Sequence, residues 1–179
     1  MDQKRLVATS KMLSKTLRHD PARVGLTLDA QGWVGVDELL AAFAARGRHI
    51  TRAELAEVVE GNDKRRFTID GDRIRANQGH SIEVDLALDP AEPPALLFHG
   101  TATRNLDAIL AEGLVRGRRH HVHLSADTDT AVRVGTRHGV PVVLTVLAGM
   151  MAAEGHEFFL SANGVWLAEH VPAEYLRSP

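Results

Sequence analysis

The sequence predicts an α+β protein of two lobes, and three observations support this prediction. The first half of the 179 residues has the apolar spacing of helices and ends in one hairpin pattern. The second half alternates short apolar runs with only two helical patterns, which favours a curved sheet over a doubly wound one. Between the halves, residues 88–95 contain three prolines and cannot form a helix. We therefore expect one lobe over residues 1–88 and another over residues 89–179.

The first helix and a short extended segment open the chain. Leu6, Leu13 and Leu17 lie roughly on one helical face, and Pro21 ends this helix because the residue before a proline avoids helical geometry. Residues 32–34 then form a short extended segment. A helix followed by an isolated strand indicates that the first lobe mixes both kinds of element.

Two further helices and a hairpin complete the first lobe. Asp37 is a candidate cap for the second helix, and Thr51 with Glu54 has the capping-box pattern that opens the third. Asp70-Gly71 between alternating apolar residues predicts a hairpin turn. Three helices followed by a hairpin are the outline of a winged helix, a fold that commonly contacts nucleic acid but does not by itself decide function.

The second lobe consists mainly of strands. We expect strands at residues 95–99, 122–125, 140–147, 158–161 and 165–168, and helices at residues 103–112 and 127–138. Gly113 and Gly139 end the two helices, since glycine readily adopts the conformation that follows a helix. Asn163-Gly164 predicts a second hairpin turn.

Composition and charge limit the kinds of function that we expect. Residues 1–80 carry 14 Lys and Arg against 11 Asp and Glu, whereas residues 81–179 carry 7 against 12, so the halves have net charges of +3 and −5. This asymmetry favours different partners for the two lobes. The sequence has no cysteine, no apolar run of membrane-spanning length and no secretory signal pattern, so we expect a cytoplasmic protein without disulfides.

Basic residues form three clusters that are candidates for binding an anion. The clusters are Arg18-His19 at the end of the first helix, Lys64-Arg65-Arg66 before the hairpin, and Arg116-Gly-Arg118-Arg119 before His120, His121 and His123. Each alone has a simpler interpretation, as an offset to a helix dipole or as a solvated charged surface. Together they supply guanidinium groups, whose planar fork matches the oxygens of a phosphate monoester. Arg73 and Arg75 extend the positive charge along the hairpin, where RNA phosphates are a candidate ligand.

A metal site is not expected among these histidines. His121 and His123 alternate along a predicted strand and therefore face the same side, as two ligands would. However, no Asp, Glu or Cys lies beside them, and the neighbouring arginines disfavour a bound cation. The sequence also lacks phosphate-loop, serine-hydrolase and zinc-protease motifs.

His99, Gly100 and Thr101 form a second kind of candidate, at the end of a predicted strand. We expect Gly100 to let the backbone approach a ligand closely, and Thr101 to offer a hydroxyl. A histidine at such a position is more often structural than functional, so the tripeptide alone is weak evidence.

Eight motifs in order give the sequence a specific resemblance. They are Ser10-Lys11-x-Leu13-Ser14-x-x-Leu17-Arg18-His19, Asp63-Lys64-x-Arg66-Phe67, residues 74–81, Phe98-His99-Gly100-Thr101, Gly113-Leu114, Arg119-x-His121-Val122-His123-Leu124-Ser125, residues 137–144, and Ser161-x-Asn163-Gly164-Val165-Trp166-Leu167. In this order they resemble the motifs of the NAD-dependent RNA (tRNA) 2′-phosphotransferase family over nearly the whole chain.

The resemblance implies both a fold and a reaction. The N-terminal lobe would be winged-helix-like and engage RNA, and the C-terminal lobe would have the ADP-ribosyltransferase fold and hold NAD⁺ as co-substrate. An internal RNA 2′-phosphate would attack C1″ of the nicotinamide ribose and expel nicotinamide. The ribose 2″-hydroxyl would then attack the phosphate, giving 2′-OH RNA and ADP-ribose 1″,2″-cyclic phosphate.

The resemblance also implies site residues. The family's catalytic set falls on Arg18, His19, Arg66 and Arg119, with the arginines binding phosphate and the histidine assisting proton transfer. The residues implied to contact NAD⁺ are His99, Gly100, Thr101, His123 and Ser125, with His123 facing the nicotinamide.

Two features of the motifs bear on the acceptor and on the placement of Arg119. Residues 163–167 contain no glutamate, the residue that directs the acceptor in many transferases that modify proteins. Gly117 stands where the family often has methionine, and we expect it to loosen the loop before Arg119.

Two alternatives remain at this stage. The first is an ADP-ribosyltransferase that caps phosphorylated nucleic-acid ends or modifies protein, and would release nicotinamide without forming a cyclic phosphate. The second is a non-catalytic nucleic-acid-binding module whose back half only binds ADP-ribose. The sequence gives no indication of a membrane partner or of an obligate protein partner.

Overall fold

The computed structural model describes residues 1–62 and 64–179, and within it the chain forms two compact units, Met1–Ala87 and Leu88–Pro179. Each unit combines helices with small antiparallel sheets and has its own apolar core. The α+β class predicted from the sequence is therefore confirmed. Asp63, which belongs to the second motif, lies outside the described residues.

Among its described residues, the first unit contains three α-helices and one three-stranded sheet. Its elements are α1 (Gln3–Arg18), β1 (Val34–Gly35), α2 (Val36–Ala44), α3 (Arg52–Glu60), β2 (Phe67–Asp70) and β3 (Arg73–Ala76). The strand order is β1-β3-β2, and both pairs are antiparallel. The helices pack on one face of this sheet around fully buried residues that include Leu13, Leu17, Leu39, Leu55 and Ile74.

Local capping and turn chemistry explain most boundaries of the first unit. Thr51 and Glu54 make both hydrogen bonds of a capping box, as predicted. Gly71 adopts a φ of 57° in the hairpin turn, which glycine tolerates without strain. The predicted capping role of Asp37 is wrong, because Gly35 occupies the N-cap of α2 and Asp37 lies in the first turn. There its carboxylate still favours the helix N-terminus.

The second unit contains three α-helices and eight short strands among the described residues. Its elements are β4 (Leu97–Ala102), α4 (Leu106–Glu112), β5 (Leu114–Val115), β6 (Val122–Leu124), α5 (Thr128–Gly135), β7 (Pro141–Val146), α6 (Ala148–Ala153), β8 (Phe158–Leu160), β9 (Trp166–Ala168), β10 (His170–Val171) and β11 (Leu176–Arg177). The sheets have the strand orders β11-β7-β4, β6-β9-β8 and β10-β5.

Two sheets of the second unit meet where β4 passes β6. Phe98 and Ser125 form an isolated antiparallel bridge, so the end of β6 lies beside the start of β4. The β8–β9 hairpin forms as predicted, with Gly164 at a φ of 77° in its loop. This arrangement aligns His123 on β6 with His99 on β4.

Three predicted boundaries differ from the structure by three residues each. Strand β4 continues through Ala102 because its residues after His99 pair in register with β7. Helix α5 ends at Gly135, and residues 136–138 form a turn before Gly139. The helix predicted to start at Thr103 begins as a short 3-10 turn, with α4 starting at Leu106. No helix among residues 1–62 and 64–179 is long and apolar enough to cross a membrane.

Candidate functional site

The end of α1 presents Arg18 and His19, the first two predicted site residues. Arg18 is half-buried and His19 is exposed. Nδ1 of His19 lies 2.8 Å from the hydroxyl of Ser81, and the Ser81 main-chain N–H donates to the Arg18 carbonyl at 2.8 Å. The segment after β3 thus folds back onto the end of α1 and orients the histidine ring. Ser81 lies in one of the motifs, but no sequence pattern predicts this contact.

Arg18 also packs against the first residue of β2. Its guanidinium carbon lies 6.0 Å from the centroid of the Phe67 ring, at the outer limit of a cation–π contact. Because Phe67 is itself buried, it restricts the conformations available to the arginine. The arginine head is therefore held by the fold before any anion binds.

Arg66 is positioned by two asparagines that sequence reasoning did not identify. Nη1 of Arg66 donates to Oδ1 of Asn62 at 3.2 Å, and Asn62 is buried and donates in turn to the Ser10 hydroxyl at 3.1 Å. Asn77 donates through its main chain to the Arg66 carbonyl at 2.9 Å. Asn62 lies two residues before the basic cluster and Asn77 lies in the motif of residues 74–81, and neither position alone predicts these contacts.

His19 and Arg66 line the same groove, which we call the inner groove. It has a volume of about 540 Å³ and lies between α1 and the segment that joins α3 to β2. Its polar lining includes Lys11, Ser14, Lys15, His19, Lys64 and Arg66. The structure therefore brings together two of the four predicted catalytic residues in a basic groove suited to a phosphate.

The hairpin arginines, Arg73 and Arg75, contact an aromatic ring of the same unit. The guanidinium carbons of Arg73 and Arg75 lie 4.9 Å and 4.6 Å from the Trp33 ring centroid, within cation–π range. Arg73 also pairs with Asp70 at 3.6 Å, and burial lowers the pKa of the Arg75 guanidinium. Both side chains thus have partners within their own unit, which orient them along the Trp33 ring.

In the second unit, His99, His123 and Ser125 lie side by side on β4 and at the end of β6. Nδ1 of His99 lies 3.1 Å from the His123 carbonyl oxygen, so Nδ1 carries the proton and donates. Burial lowers the pKa of His99, with smaller contributions from His138 and Arg119, and favours its neutral form. Ser125 exchanges main-chain hydrogen bonds of 2.8 and 2.9 Å with Phe98.

Arg119 joins this group through the side chain of His123. Nη1 of Arg119 lies 3.0 Å from Nδ1 of His123. Because a guanidinium can only donate, Nδ1 is the acceptor and the ring proton resides on Nε2. The loop before Arg119 turns at Gly117, which has a φ of 59°, and the Arg119 N–H donates to the Arg116 carbonyl at 3.1 Å. Gly117 therefore supplies the left-handed conformation of this turn.

On its side-chain face, Gly100 makes room for helix α5, and its expected contact with a ligand through the main chain stays a prediction. A Cβ added there would fall within the carbonyl group of Ala131 and lie 3.0 Å from the Gly135 nitrogen. Helix α5 fills that space. Thr101 is buried, and its hydroxyl accepts a hydrogen bond from Asn105 at 3.2 Å. The structure gives both residues a packing role.

The remaining histidine of the strand motif packs against an aromatic ring. The His121 and Phe159 ring centroids lie 5.6 Å apart, and burial lowers the pKa of His121. Among the described residues, no group of three or more His, Asp or Glu side chains could hold a metal ion.

Comparisons with known proteins match nearly the whole chain. Residues 4–170 match the family model described as RNA 2'-phosphotransferase, Tpt1 / KptA family. A relative from Streptomyces griseus, described as a probable RNA 2'-phosphotransferase, is 60% identical over 98% of each chain. Relatives with the same description from Streptomyces coelicolor and Trichormus variabilis are 60% and 54% identical, over 100% and 98% of this chain and 98% of each relative.

Proposed function

The chain belongs to the RNA 2'-phosphotransferase, Tpt1 / KptA family, and from this premise we propose that it transfers an internal RNA 2′-phosphate to NAD⁺. The products are 2′-OH RNA, nicotinamide and ADP-ribose 1″,2″-cyclic phosphate. The observation that carries the proposal is the match over residues 4–170, which contain all nine proposed site residues.

The proposal extends to the folds of the two units. Three helices with a three-stranded antiparallel sheet in the first unit are compatible with a winged-helix-like RNA-binding lobe. In the second unit, two three-stranded antiparallel sheets that meet at the Phe98–Ser125 bridge are compatible with an ADP-ribosyltransferase-like lobe. The NAD⁺-binding role of the second lobe rests on the resemblance of its motifs.

The phosphate is the proposed ligand of Arg18, Arg66 and Arg119. In the first step a phosphate oxygen bonds to C1″, and the bond to nicotinamide breaks so that nicotinamide leaves as a neutral group with its electron pair. A phosphate dianion is already a nucleophile, so the arginines contribute mainly by positioning it. The restraint of Arg18 by Phe67 and of Arg66 by Asn62 supports this role.

His19 is the proposed proton-transfer residue of the second step. The 2″-hydroxyl oxygen bonds to phosphorus, the bond from phosphorus to the RNA 2′-oxygen breaks, and the hydroxyl proton passes to that oxygen. Histidine suits such a transfer near neutral pH. The contact between Nδ1 of His19 and Ser81 orients the ring, and the arginines stabilise the charge that accumulates on the phosphate.

NAD⁺ is the proposed co-substrate of the β4 and β6 residues. The polar side chains of these strands are uncharged and lie close together: His99, His123 and Ser125. Such groups can form hydrogen bonds with ribose hydroxyls and with the nicotinamide amide. Gly100 and Thr101 would contribute through the main chain of β4, because their side-chain positions are taken up by packing. The lack of glutamate in residues 163–167 supports a phosphate acceptor that needs no directing carboxylate.

The test is an incubation of the purified protein with NAD⁺ and a short RNA that has one internal 2′-phosphate, followed by mass spectrometry of all products. We expect loss of the RNA phosphate together with nicotinamide and the cyclic phosphate. Arg18→Ala should lower the rate by about 100-fold or more, as loss of a charge-stabilising donor does. Arg52→Ala is the matched control, since Arg52 forms only exposed ion pairs in the same unit and should change the rate by less than about twofold.

Other product patterns would contradict the proposal. Nicotinamide release that leaves ADP-ribose on an RNA end, without cyclic phosphate, would identify an end-capping transferase. Binding of both substrates without turnover would identify a non-catalytic module. If Arg18→Ala lowered the melting temperature and left the rate unchanged, Arg18 would have a structural role only.

A further inference from the structure

We propose that a second basic groove of the first unit binds the RNA backbone that flanks the 2′-phosphate. This outer groove has a volume of about 880 Å³ and lies between α1, the end of α2 and the loop that leads to α3. Its charged lining has one acidic residue, Asp20, and six basic residues: Arg5, Lys11, Lys15, Arg23, Arg46 and Arg48. The inference rests on the proposed function, because it assigns a binding surface to the nucleotides of the same RNA substrate that flank the 2′-phosphate.

Two of the six basic residues are engaged within the protein. Arg5 pairs with Glu54 at 2.9 Å, and Arg46 donates to the carbonyl oxygens of Arg23 and Val24. The side chains of the other four form no hydrogen bond or ion pair among the described residues, and all four are exposed: Lys11, Lys15, Arg23 and Arg48. These cations are available for a polyanion.

The outer groove adjoins the inner groove. Lys11 and Lys15 line both of them and stand one turn apart on α1. An internal 2′-phosphate requires nucleotides on both sides, so a strand with its 2′-phosphate beside His19 and Arg66 must continue past the inner groove. The two shared lysines mark a continuous basic path from one groove to the other.

The side chains of the outer groove suit sequence-independent binding of an RNA phosphate backbone. The main-chain N–H groups of residues 46–48 donate to carbonyls of Phe43 and Ala44, so they are not available to bases or peptides. The RNA backbone would therefore be bound by flexible cationic side chains, which attract phosphates through their charge. The alternative RNA surface, the hairpin, has its arginines stacked on Trp33.

The experiment measures binding without NAD⁺, so that it does not depend on catalysis. Two fluorescent RNAs with one internal 2′-phosphate, of roughly 3 and roughly 12 nucleotides, are titrated with the full-length protein at several salt concentrations. We expect the long RNA to bind wild type at least about tenfold more tightly, with a steeper salt dependence. The double variant Arg23→Gln, Arg48→Gln should remove most of this advantage and reduce the salt slope by about 0.7 for each lost phosphate contact.

Arg73→Gln is the matched control, because it removes one exposed charge from the hairpin of the same unit. It should leave unchanged the tighter binding of the long RNA, which we call the length advantage. The proposal is overturned if wild type shows no length advantage, if the double variant retains it, or if Arg73→Gln removes it instead. It is also overturned if a polyglutamate competitor displaces the long RNA as efficiently as unlabelled RNA does. Failure of the proposed reaction would appear separately, as absence of cyclic phosphate in the turnover assay.

Discussion

His123 accepts a hydrogen bond from Arg119 through Nδ1, so the residue expected to face nicotinamide also holds an arginine of the proposed catalytic set. Two substitutions separate the roles of its ring nitrogens. His123→Asn keeps a polar atom near the position of Nδ1, whereas His123→Gln places its amide near the position of Nε2. If positioning of Arg119 matters most, His123→Asn should retain activity within about tenfold and His123→Gln should lose about 100-fold.

The measurement is kcat and KM for the 2′-phosphorylated RNA, with thermal unfolding as a check on folding. A positioning role predicts that the loss in His123→Gln appears mainly in kcat, because a misplaced cation stabilises the developing charge poorly. Equal losses in both variants, appearing mainly in KM for NAD⁺, would show that His123 contacts the nicotinamide side and does not act through Arg119.

Two predictions of local chemistry succeeded. The Thr51–Glu54 capping box and the Asp70-Gly71 turn depend on residues within a few positions of each other, and both were confirmed. The contacts of Asn62 with Ser10 and of His19 with Ser81 join residues 52 and 62 positions apart, respectively. No local pattern reports such pairs, so the groups that orient the arginines and the histidine were missed.

At the scale of elements, the contact between β4 and α5 explains a motif glycine through packing. Gly100 on β4 faces Ala131 and Gly135 on α5, and the two backbones approach too closely for a Cβ. Gly100→Ala should therefore destabilise the protein by about 1–3 kcal/mol, the usual cost of overpacking. Chemical denaturation without ligands measures this change.

Gly35→Ala is the control for that substitution. Gly35 has a φ of −60° and a ψ of 136°, which other residues also adopt, and an added Cβ would make only ordinary contacts, of 3.6 Å or more, with Glu38. Its cost should stay at about 0.5 kcal/mol, because alanine is less favoured than glycine at the N-cap of α2. If Gly100→Ala unfolded at the wild-type denaturant concentration and lost NAD⁺ binding, the glycine would serve the ligand and not the helix.

The strands show why element boundaries in the second unit were harder to predict than those in the first. The β4–β7 pairing joins residues 39 to 49 positions apart and extends β4 three residues past its predicted end. Two of its last three residues, Gly100 and Ala102, have little strand propensity of their own and form strand because β7 pairs with them. By contrast, Asn163-Gly164 identified the β8–β9 hairpin from its turn alone.

At the scale of the whole molecule, burial of His99 links stability to pH. Burial lowers the pKa of His99 below its value of about 6.5 in the unfolded chain. Between those two values the unfolded chain binds more protons than the folded one, so the free energy of unfolding falls as the pH drops through about 6.5. This contribution is complete above that pH and stops changing below the folded pKa.

The expected slope from one such histidine is positive and at most about 1.4 kcal/mol per pH unit. His99→Asn provides the test, because the amide retains a donor for the His123 carbonyl and does not titrate. Denaturant unfolding of both proteins between about pH 5 and pH 7.5 should give a shallower pH dependence for the variant. If the two curves were parallel, the fold would tolerate a protonated His99, and any acid sensitivity of the protein would have to arise from other groups. Half-buried His121 would then be the next residue to substitute, because burial lowers its pKa as well.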